Sequence, residues 1–400
     1  MKSFLVTFFL IILVSFLGAQ GSIPVWLKDY SWGGNRDDYL MDIHQNEKDL
    51  SIFSAGHTFT SSNQDVSSYN KGYSDYWVVK TDSVGVLIYE QTYGGDSLDN
   101  LAAVVPTFDD GYLLAGSSAS GRNGDKADDS NGGFDYWIVK IDKEGNPEWN
   151  KTFGGLEDDI LTCAAGSEDG GFYLGGYSSS EKSGDKSQNS YGAQDFWMIK
   201  LDSVGGLLWD LTLGGDSTDV MKSIIIDEEY ILVGGYSISK SKGTKSENGF
   251  GGYDFWVNKV DFQGGLISDK TLGGPENDFL EEIRLKEHSP GYWISGTTYS
   301  RPGGIKTSGY FNNGDTWVLK VDSSFLIEFD RTIGSHNYEK CMDMEISPEG
   351  SAIIAARSNG LGGNKISDTK GVQDYWIYKI DTVGNIYWDK SYGGLLEDSL

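Results

Sequence analysis

Seven acidic side chains recur behind glycines, at Asp38, Asp99, Asp159, Asp219, Asp278, Glu339 and Asp398, as in GGNRDD, GGDSLD and GGPEND. A carboxylate at a fixed offset from a glycine pair suits three tasks: capping a turn through backbone N–H groups, pairing with a cation, or ligating calcium. Lysines keep the same period at Lys126, Lys186, Lys245, Lys306 and Lys365, each two residues after a glycine, and the first repeat carries Val66 in that place. Their matched recurrence predicts acid–lysine pairs. A second series, Lys80, Lys140, Lys200, Lys259, Lys320 and Lys379, predicts pairs with an acid two residues on, such as Asp82 or Asp142. Strict repetition favours structural roles, because a binding site departs from symmetry.

Polar stretches such as SSNQDVSSYNKGYS, SGRNGDKADDSNGGF and SRPGGIKTSGYFNN separate these motifs, and together with the loop at 178–194 they carry Tyr69, Tyr191 and Tyr310. Tyrosine rings offer sugars a stacking face, so these three join the acids Asp38, Asp99, Asp159, Asp219, Asp278 and Glu339 as ligand-binding candidates. Calcium is the candidate cation. Asp125, Asp128 and Asp129 approach an EF-hand loop but lack its glycine and terminal glutamate. Catalytic chemistry has little to stand on. His44, His57, His288 and His336 fall at unrelated offsets with no metal spacing, no nucleophile motif occurs in context, and carboxylate pairs are too common to single one out. The expectation is a protein that is not an enzyme, with no catalytic residues and no resident metal.

These residues are positioned by a repeat of about sixty residues. DYWVVKTD at 75–82 returns as DYWIVKID, DFWMIKLD and three further copies, each with a tryptophan: Trp77, Trp137, Trp197, Trp256, Trp317 and Trp376. Period-2 alternation places Asp75, Trp77 and Val79 on one face and Tyr76, Val78 and Lys80 on the other. A strand apolar on both faces belongs between two sheets. Three more strands fill each repeat: the W-x-K-x-Y-G-G segment, the run after the acid (ILTCAAGS), and YLLAGS or FYLGGYS, entered through an Asp-Gly turn. Four short strands per repeat, joined mostly by tight turns, predict an all-β fold, a β-propeller of four-stranded antiparallel blades. A β-helix is the rival, and hairpin turns suit it poorly. Alternating strand direction puts the GGxxxD turns and long polar loops at one end and the DG and DSVG turns at the other.

The succession W-x-K-T-x-G-G-x-x-x-D, D-G-G-F-Y-L-G-G-Y-S-S-S and D-F-W-M-I-K-L-D resembles the propeller repeats of secreted bacterial proteins known as SBBP-type or delta-60 repeats. The resemblance spans the chain after its N-terminal segment and implies a seven-bladed propeller, specific for architecture and weak for function. Members often carry a C-terminal sorting domain, and no such motif is visible in this sequence.

The N-terminus, MKSFLVTFFLIILVSFLGAQ, reads as a signal peptide with cleavage after Ala19, its apolar run falling short of a bilayer span. Residues 20–400 are then one exported propeller, secreted or at the cell surface, with no membrane span after cleavage. With 59 acidic and 32 basic residues and a net charge of -27, nucleic acid and anionic lipid are excluded as partners. Cys163 and Cys341 sit at different repeat offsets and read as buried thiols. Residues 374–381 are expected to close the ring on the strands near residues 26–57, giving six blades with a three-plus-one clasp. Residues 386–400 then begin a further repeat, a stub or the mark of a seven-bladed fragment. Function is expected to be recognition or scaffolding of an extracellular glycan or protein through the loop-bearing face. The alternatives are a polysaccharide-active propeller enzyme and a structural spacer in a larger surface protein.

Overall fold

The computed structural model describes residues 32–311, 313–396 and 398, and the signal-peptide reading of residues 1–19 lies outside them. Twenty-four strands among these residues form six four-stranded antiparallel sheets, the blades of a β-propeller fold. Blade 1 holds β1 (Asp38–Gln45), β2 (Ile52–Thr58), β3 (Asp75–Thr81) and β4 (Leu87–Tyr93). Blade 2 holds β5 (Asp99–Pro106), β6 (Tyr112–Ser118), β7 (Asp135–Ile141) and β8 (Pro147–Phe153). Blade 3 follows with β9 (Asp159–Gly166), β10 (Phe172–Ser178), β11 (Asp195–Leu201) and β12 (Leu207–Leu213). Blade 4 comprises β13 (Asp219–Ile226), β14 (Ile231–Ser237), β15 (Asp254–Val260) and β16 (Leu266–Leu272). Blade 5 comprises β17 (Asp278–Leu285), β18 (Tyr292–Thr298), β19 (Asp315–Val321) and β20 (Ile327–Ile333). Blade 6 ends the series with β21 (Glu339–Ile346), β22 (Ala352–Ser358), β23 (Asp374–Ile380) and β24 (Ile386–Tyr392).

The chain divides into two compact units, one up to Phe153 with blades 1 and 2, the other from Gly154 with blades 3 to 6. Within the second unit the first strands β9, β13, β17 and β21 neighbour one another in turn, so each is the inner strand of its blade. The first unit repeats this with β1 beside β5.

Each blade begins at the repeat acid and ends at the glycine pair, which corrects the expected phase. The Trp-bearing strand is third, not fourth, and no three-plus-one clasp involves residues 374–381. There β23 pairs with β22 on one side and β24 on the other. Residues 386–392 are therefore the fourth strand of blade 6 rather than the stub of another repeat. The expected opening strand at residues 26–31 lies outside the described residues.

The two-faced burial of the octapeptide is observed: every residue of β3, β7 and β11 is buried. Tyr76 of blade 1 packs on Trp137 of blade 2 at 4.7 Å between ring centres, Phe196 on Trp256 at 4.8 Å, and Phe255 on Trp317 at 4.9 Å. These tilted aromatic pairs fill the wedge between successive blades. Cys163 and Cys341 are free, buried thiols. Burial pushes the Cys163 thiol up to about 12.

Each inner strand carries an irregularity of register, as between Leu40 and Asp42, Leu161 and Cys163, or Met221 and Ser223. At this pinch a second-strand glycine meets the first-strand backbone: a Cβ on Gly56 would lie 1.7 Å from the Tyr39 carbonyl oxygen, and one on Gly235 would lie 1.9 Å from that of Val220.

Candidate functional site

The loop end of the blades is tightly knit. The acids are buried caps: Asp99 is fully buried, and its Oδ2 accepts from Gly95 N–H at 2.7 Å and Ser120 Oγ–H at 2.9 Å. Asp159, Asp219 and Asp278 repeat this with Gly155, Gly215 and Gly274 and with Ser180, Ser239 and Ser300. Asp38 accepts from Gly34 N–H at 2.7 Å and Thr58 Oγ1–H at 2.5 Å, and Glu339 from Ser335 N–H at 2.6 Å. The motif behaves as a turn cap because a short carboxylate four residues after a glycine reaches back to its N–H. None of these six carboxylates opens to solvent, so a ligand on this face would not touch them without displacing the turn. Asp398 caps Gly394 N–H at 2.6 Å from a more open position.

The expected direct acid–lysine pairs are not formed. Lys126 Nζ donates instead to Ser118 Oγ at 2.9 Å, to the Ser120 carbonyl at 2.8 Å and to Ser130 Oγ at 2.7 Å. Lys186, Lys245 and Lys306 each donate at 2.6 Å to a fourth-strand threonine, Thr212, Thr271 and Thr332. Burial lowers Lys245 to about 8, against the pull of Asp219. The hydroxyls separate cation from carboxylate, so the charges interact through a polar relay. In blade 1, Val66 fills the lysine's place and packs with Trp77 and Val79.

The residue before each lysine fastens its loop to the incoming glycine. Asp125 N–H donates to the Gly94 carbonyl at 2.9 Å while Gly94 N–H donates to Asp125 Oδ2 at 3.1 Å. Asp65 with Gly33, Asp185 with Gly154, Thr244 with Gly214 and Asn364 with Gly334 repeat the exchange. The strand lysines pair at the opposite end with partners other than those expected. Lys140 meets Asp109 and Glu148, each at 2.8 Å, Lys200 meets Asp169 at 2.8 Å, and Lys379 meets Glu349. Asp82 is occupied in capping its own turn at Val84 and Val86 N–H.

The candidate tyrosines lie at the loop end but apart. Tyr69 is 76% exposed and Tyr191 43% exposed. Tyr310 is half-buried beneath Arg301, whose guanidinium lies 5.8 Å from its ring centre. Tyr191 also covers Gly243 of the next loop, where an added Cβ would meet its ring at 2.8 Å. No group of three or more His, Cys, Asp or Glu side chains among the described residues could hold a metal ion.

A set of residues missed in the sequence breaks the repetition on the inner strands of the second unit. Lys222 of β13 pairs with Glu281 of β17 at 3.0 Å. Lys340 of β21 stands opposite Arg357 of β22 in register. Half-buried aromatics rim this end: Tyr236 meets Tyr253 and Phe279 edge to face at 5.4 and 5.0 Å, and Phe279 meets Tyr299 at 6.2 Å. Toward the far end, Arg284 draws in Glu282, Asp343 and Glu345, while Ser223 Oγ–H donates to Glu282 at 2.5 Å. Burial raises Glu282 although Arg284 pulls the other way. Aligning the copies on the acid exposes the signal: three residues on stand Met41, Ala102, Thr162, Lys222, Glu281 and Met342.

A β-propeller with a fastened loop face and an asymmetric charged group on its inner strands is the class this geometry defines. No family model matches the chain. Regulatory protein FlaEY of Caulobacter vibrioides is 29% identical over 174 residues, which cover 41% of this chain and only 18% of that protein. Similar solved structures include a protein of unknown function from Bacteroides caccae, 11% identical with a TM-score of 0.41 over 79% of this chain and 90% of that one. Hydrazine synthase of Kuenenia stuttgartiensis is 12% identical with a TM-score of 0.45 over 77% and 73%. The Pan2 WD40 domain of Neurospora crassa is 10% identical with a TM-score of 0.43 over 80% and 86%.

Proposed function

We propose that this chain is a non-catalytic binding or scaffold propeller of the extracellular space or cell surface, of the SBBP type, recognising a glycan or protein at the loop end of its blades. The observation that carries this reading is the loss of repetition there. The caps, lysine relays and loop fastenings repeat from blade to blade and serve the fold, whereas the Lys222–Glu281 and Lys340–Arg357 pairs occur once each. Rigid scaffolds place specificity where their repetition fails. The apolar N-terminal run and the strong negative charge support export and a partner other than nucleic acid. A glycan array and a calcium titration on residues 20–400 test it. Binding lost on replacing the 238–253 and 299–314 loops by glycine linkers is expected, and no ligand at all would favour the spacer.

One observation favours a second reading, a polysaccharide-active enzyme. Glu281, Glu282, Asp343 and Glu345 gather on two neighbouring inner strands, and burial raises Glu282 in the direction a general acid requires, against the pull of Arg284. Release of reducing ends from a polysaccharide panel, abolished by Glu282→Gln with the fold intact, would establish it.

A further inference from the structure

We propose that Lys340 and Arg357, backed by the Lys222–Glu281 ion pair, form an anion site for the carboxylate of an acidic sugar, a uronic-acid residue of a glycan. The inference rests on the binding reading above and deepens it.

Like charges facing each other across an antiparallel pair destabilise a sheet, and Lys340 faces Arg357 in register. The same positions hold Ile160 and Tyr177, Val220 and Tyr236, or Phe279 and Thr297 in blades 3 to 5. They hold Tyr39 and His57, or Asn100 and Ser117, in blades 1 and 2. Blade 6 alone among the six puts two cations there. Glu281, the acid that acts on Lys340, is already bound to Lys222. Arg357 Nε is buried with no acceptor. Burial lowers Lys340; Glu281 resists this, whereas Lys222 and Arg357 add to it. Lys340 therefore has two further cations, Lys222 and Arg357, and the already paired Glu281 acting on it, in a chain of net charge -27.

A group with surplus positive charge and an idle guanidinium N–H is completed by an anion. The planar Arg fork matches a carboxylate, and Lys340 adds a second charge-assisted bond. Tyr338, two residues before Lys340, packs with Tyr299 against the Gly314 backbone. These rings stand two residues along the chain from Lys340, and a sugar ring carrying a carboxylate offers a face to the rings and an anion to the cations.

Titration calorimetry with trigalacturonate and with its methyl ester reads the site directly. Wild-type protein is expected to bind the acid at least about tenfold tighter than the ester, with affinity falling as salt rises. Lys340→Met with Arg357→Met is expected to erase that preference, and the exposed Lys48→Met to leave it. Equal affinity for acid and ester, no binding of either, or a preference that survives the double substitution overturns the anion site. Binding of neutral glycans or of a protein partner would then leave the broader reading standing. Thermal unfolding without ligand gives a second reading that needs no glycan. Relief of the like-charge pair in Lys340→Met is expected to raise Tm by about 1–3 °C. A fall would identify the pair as a structural stabiliser and overturn the proposal.

Discussion

Asp75, Asp195 and Asp254 head their strands with one oxygen engaged and the other idle. Oδ2 accepts loop N–H groups, from Lys71 at 2.8 Å, Tyr191 at 2.5 Å and Phe250 at 2.7 Å, while Oδ1 lies against a glycine of the next link with no partner. Burial, opposed by those hydrogen bonds, raises Asp75 and Asp195 to about 6 and Asp254 to about 7, from 3.8. The folded chain therefore holds protons that the unfolded chain has released, and stability grows as pH falls through this window. His57 works against this: burial lowers it to about 4 from 6.5, so the unfolded state takes its proton first. Asp109, held at about 2, is lost only below the window. His44 is lowered by burial in the same sense as His57, and three carboxylates at on the order of 2 kcal/mol each outweigh the two imidazoles. The urea midpoint is expected to be higher at about pH 5 than at about pH 7.5, and Asp254→Asn to flatten that slope measurably. An unchanged slope would mean that these carboxylates are solvated.

At the level of the blade, strand identity, strand order and the two kinds of end are all readable from residue patterns. Alternation, Asp-Gly turns and glycine pairs are local signals, and six copies reinforce them. Which four strands share a sheet is not local. A turn such as DSVG and a link such as GGxxxD both join consecutive strands, and only hydrogen bonding shows that the first joins β3 to β4 while the second crosses to another blade. The lysine partners were misread for a related reason: Lys140 reaches Asp109 across the strand ladder rather than its sequence neighbour Asp142. The Lys340–Arg357 pair was invisible without register. Blade packing yields two predictions. Trp256 is fully buried and donates its Nε1–H to Asp269 at 2.9 Å. Trp256→Ala is expected to cost about 3–5 kcal/mol in denaturant unfolding. Gly235→Ala drives a Cβ into the Val220 carbonyl and is expected to cost about 1–3 kcal/mol. Blade 6 carries Ala356 at the equivalent place, so the reverse change Ala356→Gly should be milder.

At the scale of the whole chain, residues 386–392 have a definite task. β24 covers β23, and Asp389 accepts from Trp376 Nε1–H at 3.0 Å and from Ser367 N–H at 2.8 Å. Deleting residues 382–400 is expected to lower Tm and shift tryptophan emission to longer wavelength as Trp376 meets water. Unchanged emission would return this segment to the status of a dispensable stub. The loop fastenings bear on ancestry as well as strength. Asp125 and Gly94 lie in the same copy of the repeat, as do Asp185 and Gly154, or Asn364 and Gly334. A genetic crossover within the DSVG-type turns would carry both halves of each fastening together. Of the contacts that span such a breakpoint, Ser74 with Leu98 and Gln194 with Thr218 use backbone groups that any copy presents, and the tryptophan bonds, such as Trp256 with Asp269 and Trp376 with Asp389, recur from copy to copy. Blades are thus interchangeable parts at the level of the gene, and copy number can drift by duplication or loss while each surviving copy still carries both halves of its fastening.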